Sequence, residues 1–330
     1  MAINFMFGKN KTINITIKDH AIRFVELKQT QPLMIQRMGE RYLPAGLIKE
    51  GKITDFETLS TILEQCVTDW KIAKRNVRFL VPDSFVVIRK VPLPKEIKED
   101  EIKGYLYMEM GTSIHLPFED PVFDYILLDK NEQETNQILL FAAPEEVVRE
   151  YMDLFDEVKL KPIVADLSSL ALNRFLFYFD SDHPSKNHLL IQLDLQTVNV
   201  SIFEQNVPVF NRHLTIETTS DKWNHILKGD FYSLSFSGET QEILGPIEDV
   251  FSEIEKVINF YQYSLNQGKQ QVERIILDGD HPWLDVIYDQ MKSRFSISIT
   301  KMNDIMNENV DTDLTLPPFH LNIGLGLKEV

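Results

Sequence analysis

The stretch LLIQLDLQTVNVSIFE, residues Leu189–Glu204, alternates apolar and polar residues and then reverses its phase. Leu189, Ile191, Leu193 and Leu195 keep one parity; past Gln196-Thr197, Val198, Val200 and Ile202 keep the other. A period of two that changes parity across two residues is the pattern of a β-hairpin with one buried face. The pattern recurs near the N-terminus, where Ile13, Ile15 and Ile17 alternate, Lys18-Asp19-His20 interrupt, and Ile22 and Phe24 resume. Superposing the two hairpins places Thr16 on Asp194 and Lys18 on Gln196. Two like hairpins so far apart predict a duplicated, two-lobed α/β protein rather than a short-period solenoid.

A chain of 330 residues, 43% apolar and 25% charged, is long enough for two lobes that each bury a core. With 50 acidic against 34 basic residues, the formal charge of −16 argues against a general nucleic-acid binder and against direct binding to an anionic membrane. A membrane association is therefore expected only through a partner. Cys66 is the single cysteine, which excludes an internal disulfide and fits a reducing cytosol. No apolar run approaches the ~20 residues that span a bilayer. MAINFMFGKNK at the N-terminus lacks a signal-peptide pattern, and its Met6 and Phe7 are expected to pack beside the first strand. The eight His show no HExxH spacing and no GxSxG opens a helix, so neither a metalloenzyme nor a serine hydrolase is supported.

Downstream of the first hairpin, the Gly- and Pro-punctuated segment Tyr42–Asp55 leads to a helix over Phe56–Lys71, with Leu59, Ile62, Leu63 and Val67 at helical spacing. Asn76–Val87 reads as a strand interrupted at Pro82-Asp83-Ser84. The VPLP run Val91–Pro94 breaks the chain before a helix over Lys95–Met110. Asp124–Leu128 and Gln137–Ala142 read as antiparallel strands about the polar turn Asp129–Thr135. Pro144 then opens a helix with Glu145 and Glu146 at its positive end. Another apolar helix is expected over Ile163–Phe179, and the polar Asp180–Asn187 separates the lobes. In the second lobe, irregular sequence over Asp221–Thr240 precedes a helix at Pro246–Gln267, a strand at Val272–Leu277, a helix at Trp283–Phe295 and a strand at Phe295–Thr300. Met302–Thr315 reads as an acidic loop, and Phe319–Leu327 closes the chain.

This order of parts resembles the actin/Hsp70/hexokinase-like fold, a duplicated ribonuclease H-like architecture, and within it the PilM family of type IV pilus assembly proteins, relatives of FtsA. The resemblance is carried by LPAGLIKEGKITD (Leu43–Asp55), VPDSFVVIRKVPLP (Val81–Pro94), LPFEDPVFDYILLD (Leu116–Asp129), LLFAAPEEVVREY (Leu139–Tyr151) and KPIVADLSSLALNRF (Lys161–Phe175). It is thinner in the second lobe, through Leu189–Phe203, EIEKVINFYQYS (Glu253–Ser264) and NIGLGL (Asn322–Leu327). It implies a first-lobe core at 1–80, an inserted FtsA/PilM-type subdomain at 81–160 and an interlobe helix at 161–187 returning to that core. The second-lobe core falls at 188–225 and 268–318 around a small subdomain at 226–267, and 319–330 returns to the first lobe.

Proteins of this fold hold ATP between two Gly-containing hairpin turns, with a carboxylate of each positioning Mg²⁺. Glycine is wanted there because backbone must approach phosphate with no Cβ between. The family's Asp-Ile-Gly reads Thr16-Ile17-Lys18 here, and the second turn, Asp194-Leu195-Gln196, keeps the carboxylate without the glycine. The paired-glycine segment reads Leu214–Thr219 with none, and the Gly-Gly beside the adenine becomes Asp278-Gly279-Asp280. The cleft candidates are therefore Lys18, Asp19, Asp194, Gln196, Thr197, Gly279 and Asp280, read as a degenerate ATP site with no cofactor expected. Should the cleft still work, ATP would bind there with Asp194 near Mg²⁺. Each also has a plainer reading: Asp194 a solvated strand end, Lys18-Asp19-His20 and Asp278-Gly279-Asp280 turns chosen for backbone angles. Asp166 either reaches the cleft or caps the helix at Ser168-Ser169.

The resemblance further implies a cytoplasmic scaffold at the inner face of the membrane. It would bind the N-terminal cytoplasmic peptide of a PilN-like single-pass membrane protein, and link the pilus assembly ATPase to the platform protein. Exposed apolar candidates for that contact are Phe85, Val87, Tyr105, Met108, Met110, Ile114 and Leu116, because extended peptides pair with sheet edges and Met adapts to grooves. Against this stands the reading of Ile102, Tyr105 and Met108 as one buried helix face. A nucleotide-dependent switch or slow ATPase, and a polymerising filament, remain as alternatives.

Overall fold

The computed structural model describes residues 12–128, 136–180, 187–217, 222–228, 231–309 and 317–329. Met6, Phe7, the turn Asp129–Thr135, most of the interlobe segment and Thr218-Thr219 lie outside the described residues.

The first alternating stretch forms β1 (Thr12–Ile17) and β2 (Ala21–Thr30), antiparallel with Asn14 opposite Val25 and Ile17 opposite Ile22. A further strand, β3 (Leu33–Tyr42), pairs with β2; its half-exposed residues gave no clean alternation in the sequence. The Gly/Pro segment carries the short pair β4 (Ile48–Lys49) and β5 (Lys52–Ile53). Asp55 accepts the Thr58 N–H and so opens α1 (Phe56–Asp69), which buries Leu59, Leu63, Cys66 and Val67. Strand β6 (Asn76–Leu80) follows, parallel to β1.

The VPLP run starts inside a strand: Val91–Leu93 close β7 (Val87–Leu93), and Pro94, just past its end, breaks the chain before the next helix as expected. Because β7 is an edge strand, Pro92 can face the ladder-free side without forfeiting a sheet hydrogen bond. After a 3₁₀ turn at Glu99–Glu101 comes α2 (Ile102–Glu109), shorter than the sequence suggests. Then β8 (Pro121–Leu128) and β9 (Asn136–Pro144) complete a sheet ordered β7-β9-β8. Its own small core joins Val91, Leu93, Ile102, Leu106, Ile114, Ile138 and Leu140. Helix α3 (Glu145–Glu157) starts after Pro144 and buries Val148, Tyr151, Leu154 and Phe155 in the first-lobe core.

The expected helix over Ile163–Phe179 divides: Lys161–Asp166 is strand β10, parallel to β6, and only Ser168–Phe179 is helix, α4. The β-branched pair Ile163-Val164 suits an edge strand, and the apolar content alone did not distinguish the two.

In the second lobe, β11 (His188–Leu193) and β12 (Thr197–Glu204) form the hairpin read from the sequence, with Leu193 opposite Val198. Strand β13 (Val207–Thr215) extends it. Where irregular chain was expected, β14 (Trp223–Lys228) and β15 (Phe231–Phe236) pair. Helix α5 (Thr240–Asn259) begins before Pro246 because Glu239 and Glu242 form a reciprocal capping box. It leads into a π-turn at Phe260–Leu265, then β16 (Arg274–Asp278), α6 (Leu284–Arg294) and β17 (Ser298–Lys301). Met302–Asn309 is a helix, α7, rather than a loop. Met302, Ile305 and Met306, at helical spacing, are buried in it, a stripe its polar composition concealed. Helix α8 (His320–Gly326) ends the described chain.

The two main sheets run β10-β6-β1-β2-β3 and β13-β12-β11-β16-β17. In each, an antiparallel three-stranded run is extended on one side by two parallel strands. The duplication suggested by two hairpins thus extends to whole sheets. Between the sheets lies a shared core in which Val25 and Leu27 meet Phe175 and Phe179 of α4, Leu190, Phe203 and Ile276 of the second sheet, and Leu325 of α8. Helices α4 and α8 touch backbone to backbone: a Cβ on Gly324 would lie 2.0 Å from the Ala171 carbonyl oxygen. No helix among the described residues is long and apolar enough to cross a membrane.

The interlobe cleft and a candidate docking face

The duplicated topology brings the β1–β2 turn and the β11–β12 turn face to face. Each turn is closed by backbone bonds, Lys18 N–H to Ala21 (2.9 Å) and Asp194 N–H to Thr197 (2.8 Å). Lys18 reaches across, its Nζ 2.6 Å from Asp194 Oδ1 and 3.5 Å from Asp280 Oδ2. Asp280 also accepts from Arg23 Nη1 and lies 2.9 Å from His20 Nε2, while Arg23 Nε donates to Glu40 at 2.6 Å. Gln192 donates its amide to the other Asp194 oxygen. Arg23 is fully buried, and the side chains of Asp194 and Asp280 are 3% and 2% exposed, so these charges answer one another rather than water.

The electrostatics follow from that enclosure. Burial pushes the Asp194 carboxyl upward, and Lys18 offsets part of the rise. Burial also acts against ionisation of Asp280, but His20, Lys18 and Arg23 together hold it well below the ordinary carboxylate range. For Lys18, burial disfavours the charge and the carboxylates of Asp194 and Asp280 outweigh it, leaving the ammonium more firmly protonated than usual.

A third carboxylate lines the cleft. Asp83 accepts from Ser168 Oγ at the start of α4 and from Asn199 Nδ2 of β12 at 2.7 Å, so it joins the two lobes. Burial pushes its carboxyl up to about 7, with the negative charge of Asp194 adding to the rise. The cavity left among these groups, lined by Lys18, Asp83, Asp194, Gln196 and Thr197, measures about 60 Å³. Sites for ligands of drug size are usually about 300–1,000 Å³.

The remaining sequence candidates have structural partners. Asp19 accepts the N–H groups of Glu50 (2.6 Å) and Gly51 (2.9 Å), holding the β4–β5 turn to the first hairpin. The Gln196 carbonyl accepts from Ile216 N–H at 2.7 Å, and Thr197 pairs with Thr215 in the ladder. Gly279 adopts φ +138°, and a Cβ there would meet the Leu193 carbonyl oxygen at 1.9 Å; close backbone approach requires glycine. Thr16, at the family's Asp position, donates to Asn322 of α8 at 3.2 Å. Asp166 neither reaches the cleft nor caps α4: it ends β10 and pairs with Arg174 and Lys328. Arg23, His20 and Asp83 were not singled out from the sequence. The available signal was a charge, Arg23, set between Ile22 and Phe24 inside an apolar strand.

On the inserted unit, Met108 is 71% exposed, whereas Ile114 is 3% exposed and belongs to that unit's core, correcting its reading as a surface residue. Tyr105, Met110 and Leu116 are half-buried against the same core, and Phe85 and Val87 are half-buried. Tyr107, not anticipated, is exposed next to Met108 and stands edge-on to Phe123 at 4.8 Å. Ile126 and Leu127 are exposed on β8, the free edge opposite β7.

Two duplicated sheets around an interlobe cleft, with an inserted sheet on the first lobe, define a two-lobed actin-like fold. The sequence profile of the type IV pilus assembly protein PilM matches residues 14–219, and the chain belongs to that family. No curated protein matches it in sequence. Among solved structures, a PilM-PilN type IV pilus biogenesis complex is similar at 17% identity and TM-score 0.77, over 97% of this chain and 98% of that one. A Bacteroides thetaiotaomicron protein with an actin-like ATPase fold matches at 13% identity and TM-score 0.50, covering 99% and 100%. The ethanolamine utilization protein EutJ from Carboxydothermus hydrogenoformans matches at 8% identity and TM-score 0.51, covering 96% and 88%.

Proposed function

We propose that the chain is an actin-like scaffold of a type IV pilus or related competence or secretion machine, and that its interlobe cleft is a degenerate nucleotide site. The observation that carries this reading is the Lys18 ammonium seated between Asp194 and Asp280. A built-in cation neutralises the carboxylates that a nucleotide site would direct toward Mg²⁺, and the turns that would cradle phosphate carry side chains instead of glycine. The scaffold docks at the inner face of the membrane through the N-terminal cytoplasmic peptide of a PilN-like single-pass protein, and links the assembly ATPase to the platform protein. Family membership, and the fold shared with the PilM-PilN complex, support the PilN-like partner. The apolar side chains Tyr107, Met108, Ile126 and Leu127 offer it an edge strand with neighbouring hydrophobic contacts.

Calorimetric titration with Mg-ATP tests the cleft. Absence of binding at millimolar ATP is expected; micromolar binding abolished by Asp194→Ala refutes the degenerate site. A pull-down with the cytoplasmic peptide of such a partner tests docking. The second reading, a nucleotide-dependent switch or slow ATPase, draws on one feature: Lys18 is on a flexible side chain 15% exposed, so its withdrawal would free Asp194 for Mg²⁺. That reading requires ATP to prefer one interlobe arrangement over the other.

A further inference from the structure

We infer that a cavity bounded by Arg78, Arg174 and Lys328 is a binding site for a phosphate-type anion. It is distinct from the cleft. Leu80 of β6 and Ser168 of α4 line the cleft, whereas Arg78 and Arg174 lie further along the same two elements, facing a separate cavity of about 740 Å³. That volume is in the range of small-ligand sites.

Its charge is only partly balanced from within. In a protein of formal charge −16, three cations here converge on one buried carboxylate, Asp166. Arg174 pairs with it through Nη2, and Lys328 Nζ lies 3.1 Å away. Among the described residues, Arg78 donates to carbonyls, Gly326 at 2.9 Å and Leu325 at 3.4 Å, and its buried Nε meets no partner. Arg174 Nε meets the Gly324 carbonyl at 3.1 Å. These carbonyls belong to the end of α8, and a helix terminus contributes at most about half a negative charge. Glu329 also lines the cavity, so with Asp166 and the helix end counted, about half to one positive charge is left over. Burial, and then repulsion from Arg174, make Arg78 easier to deprotonate than a free guanidinium, by more than Asp166 compensates. An anion in the cavity would relieve both effects.

Two guanidinium groups and an ammonium suit a phosphoryl group, which accepts forked N–H donors and a point charge together. Free phosphate compounds and anionic lipid headgroups share that chemistry. The cavity also carries Phe177, 46% exposed, and Leu327 at its edge, room for an apolar neighbour of the anion.

Titration calorimetry of the full chain with sodium pyrophosphate at low ionic strength, and co-sedimentation with phosphatidylglycerol against phosphatidylcholine vesicles, test the proposal. Saturable binding in at least one arm is expected, weakened about tenfold or more by Lys328→Ala, the usual scale for losing one charge-assisted hydrogen bond. Lys328 is 32% exposed and outside the cores, so that variant should fold; Arg78→Gln is the second, independent variant. Pyrophosphate binding with this sensitivity identifies a soluble ligand, and vesicle binding alone with this sensitivity identifies a headgroup. Binding in neither arm, or binding that survives Lys328→Ala undiminished, overturns the site.

Discussion

Replacing Lys18 by Met removes the ammonium 2.6 Å from Asp194 and 3.5 Å from Asp280 while keeping much of the side-chain volume. Asp280 retains Arg23 and His20, so the loss falls on Asp194, which keeps the Gln192 amide as its side-chain donor. Breaking a buried pair by deleting one partner typically costs about 3–5 kcal/mol, because the surviving charge is stranded. Asp194 can escape that cost by taking up a proton. Its folded-state affinity for the proton, already raised by burial, rises further in the variant, while the unfolded chain holds an ordinary carboxyl. The folded variant then binds more protons than the unfolded chain. Its stability is therefore fullest below the unfolded carboxyl pKa and falls as pH rises, by up to about 1.4 kcal/mol per pH unit. Urea denaturation at pH 6, 7 and 8 should show Lys18→Met destabilised by about 3 kcal/mol at neutrality and by more at pH 8. Adding Asp194→Asn should recover much of the loss and abolish the added pH slope. A Lys18→Met protein within about 0.5 kcal/mol of wild type at every pH, or strict additivity in the double variant, refutes the locked cleft.

Asp83 has its folded carboxyl raised to about 7, so the stability it contributes is present in acid and lost between about pH 4 and pH 7. Asp83→Asn should flatten the pH dependence of thermal unfolding in that window, and an unchanged profile counts against the assignment. Gly279→Ala should destabilise by about 2 kcal/mol or more, since it adds a Cβ at φ +138° against the Leu193 backbone; a melting temperature equal to wild type refutes that contact. Met108→Ser and Tyr107→Ala should leave unfolding nearly unchanged yet weaken capture of the partner peptide several-fold, whereas Ile114→Asp should unfold the inserted unit. Unaltered capture by both surface variants moves the docking face elsewhere.

The helices α1 and α3 were legible because each buries one face, and burial on one face leaves a period in the sequence. The hairpins were legible from alternating apolar residues, but β11 and β12 are buried on both faces, not one as expected: the alternate positions are buried polar residues such as Gln192, Asn199 and Ser201. Strands β8 and β9 were legible as apolar runs on either side of a polar stretch. Elements without that contrast were missed or misread. Strand β10 lies at a sheet edge and was taken into the following helix; the stripe of α7 is hidden among Asp and Asn; β14 and β15 lie in a polar stretch. The missing glycines and the exposure of Met108 were likewise visible in, or anticipated from, the residues. The burial of Ile114 was not, because the inserted sheet closes over it from strands distant in the chain.

By itself, then, the sequence determined the two-lobed duplication, the family and the absence of glycine from the Lys18 and Gln196 turns, since these are matters of local alternation and residue type. Only the tertiary structure decided that Lys18 answers Asp194, that Arg23 answers Asp280, and that Arg78, Arg174 and Lys328 gather around one Asp166. The physical reason is that a charge acts over a few ångströms of space, and the chain brings these residues together from as far as 257 positions apart.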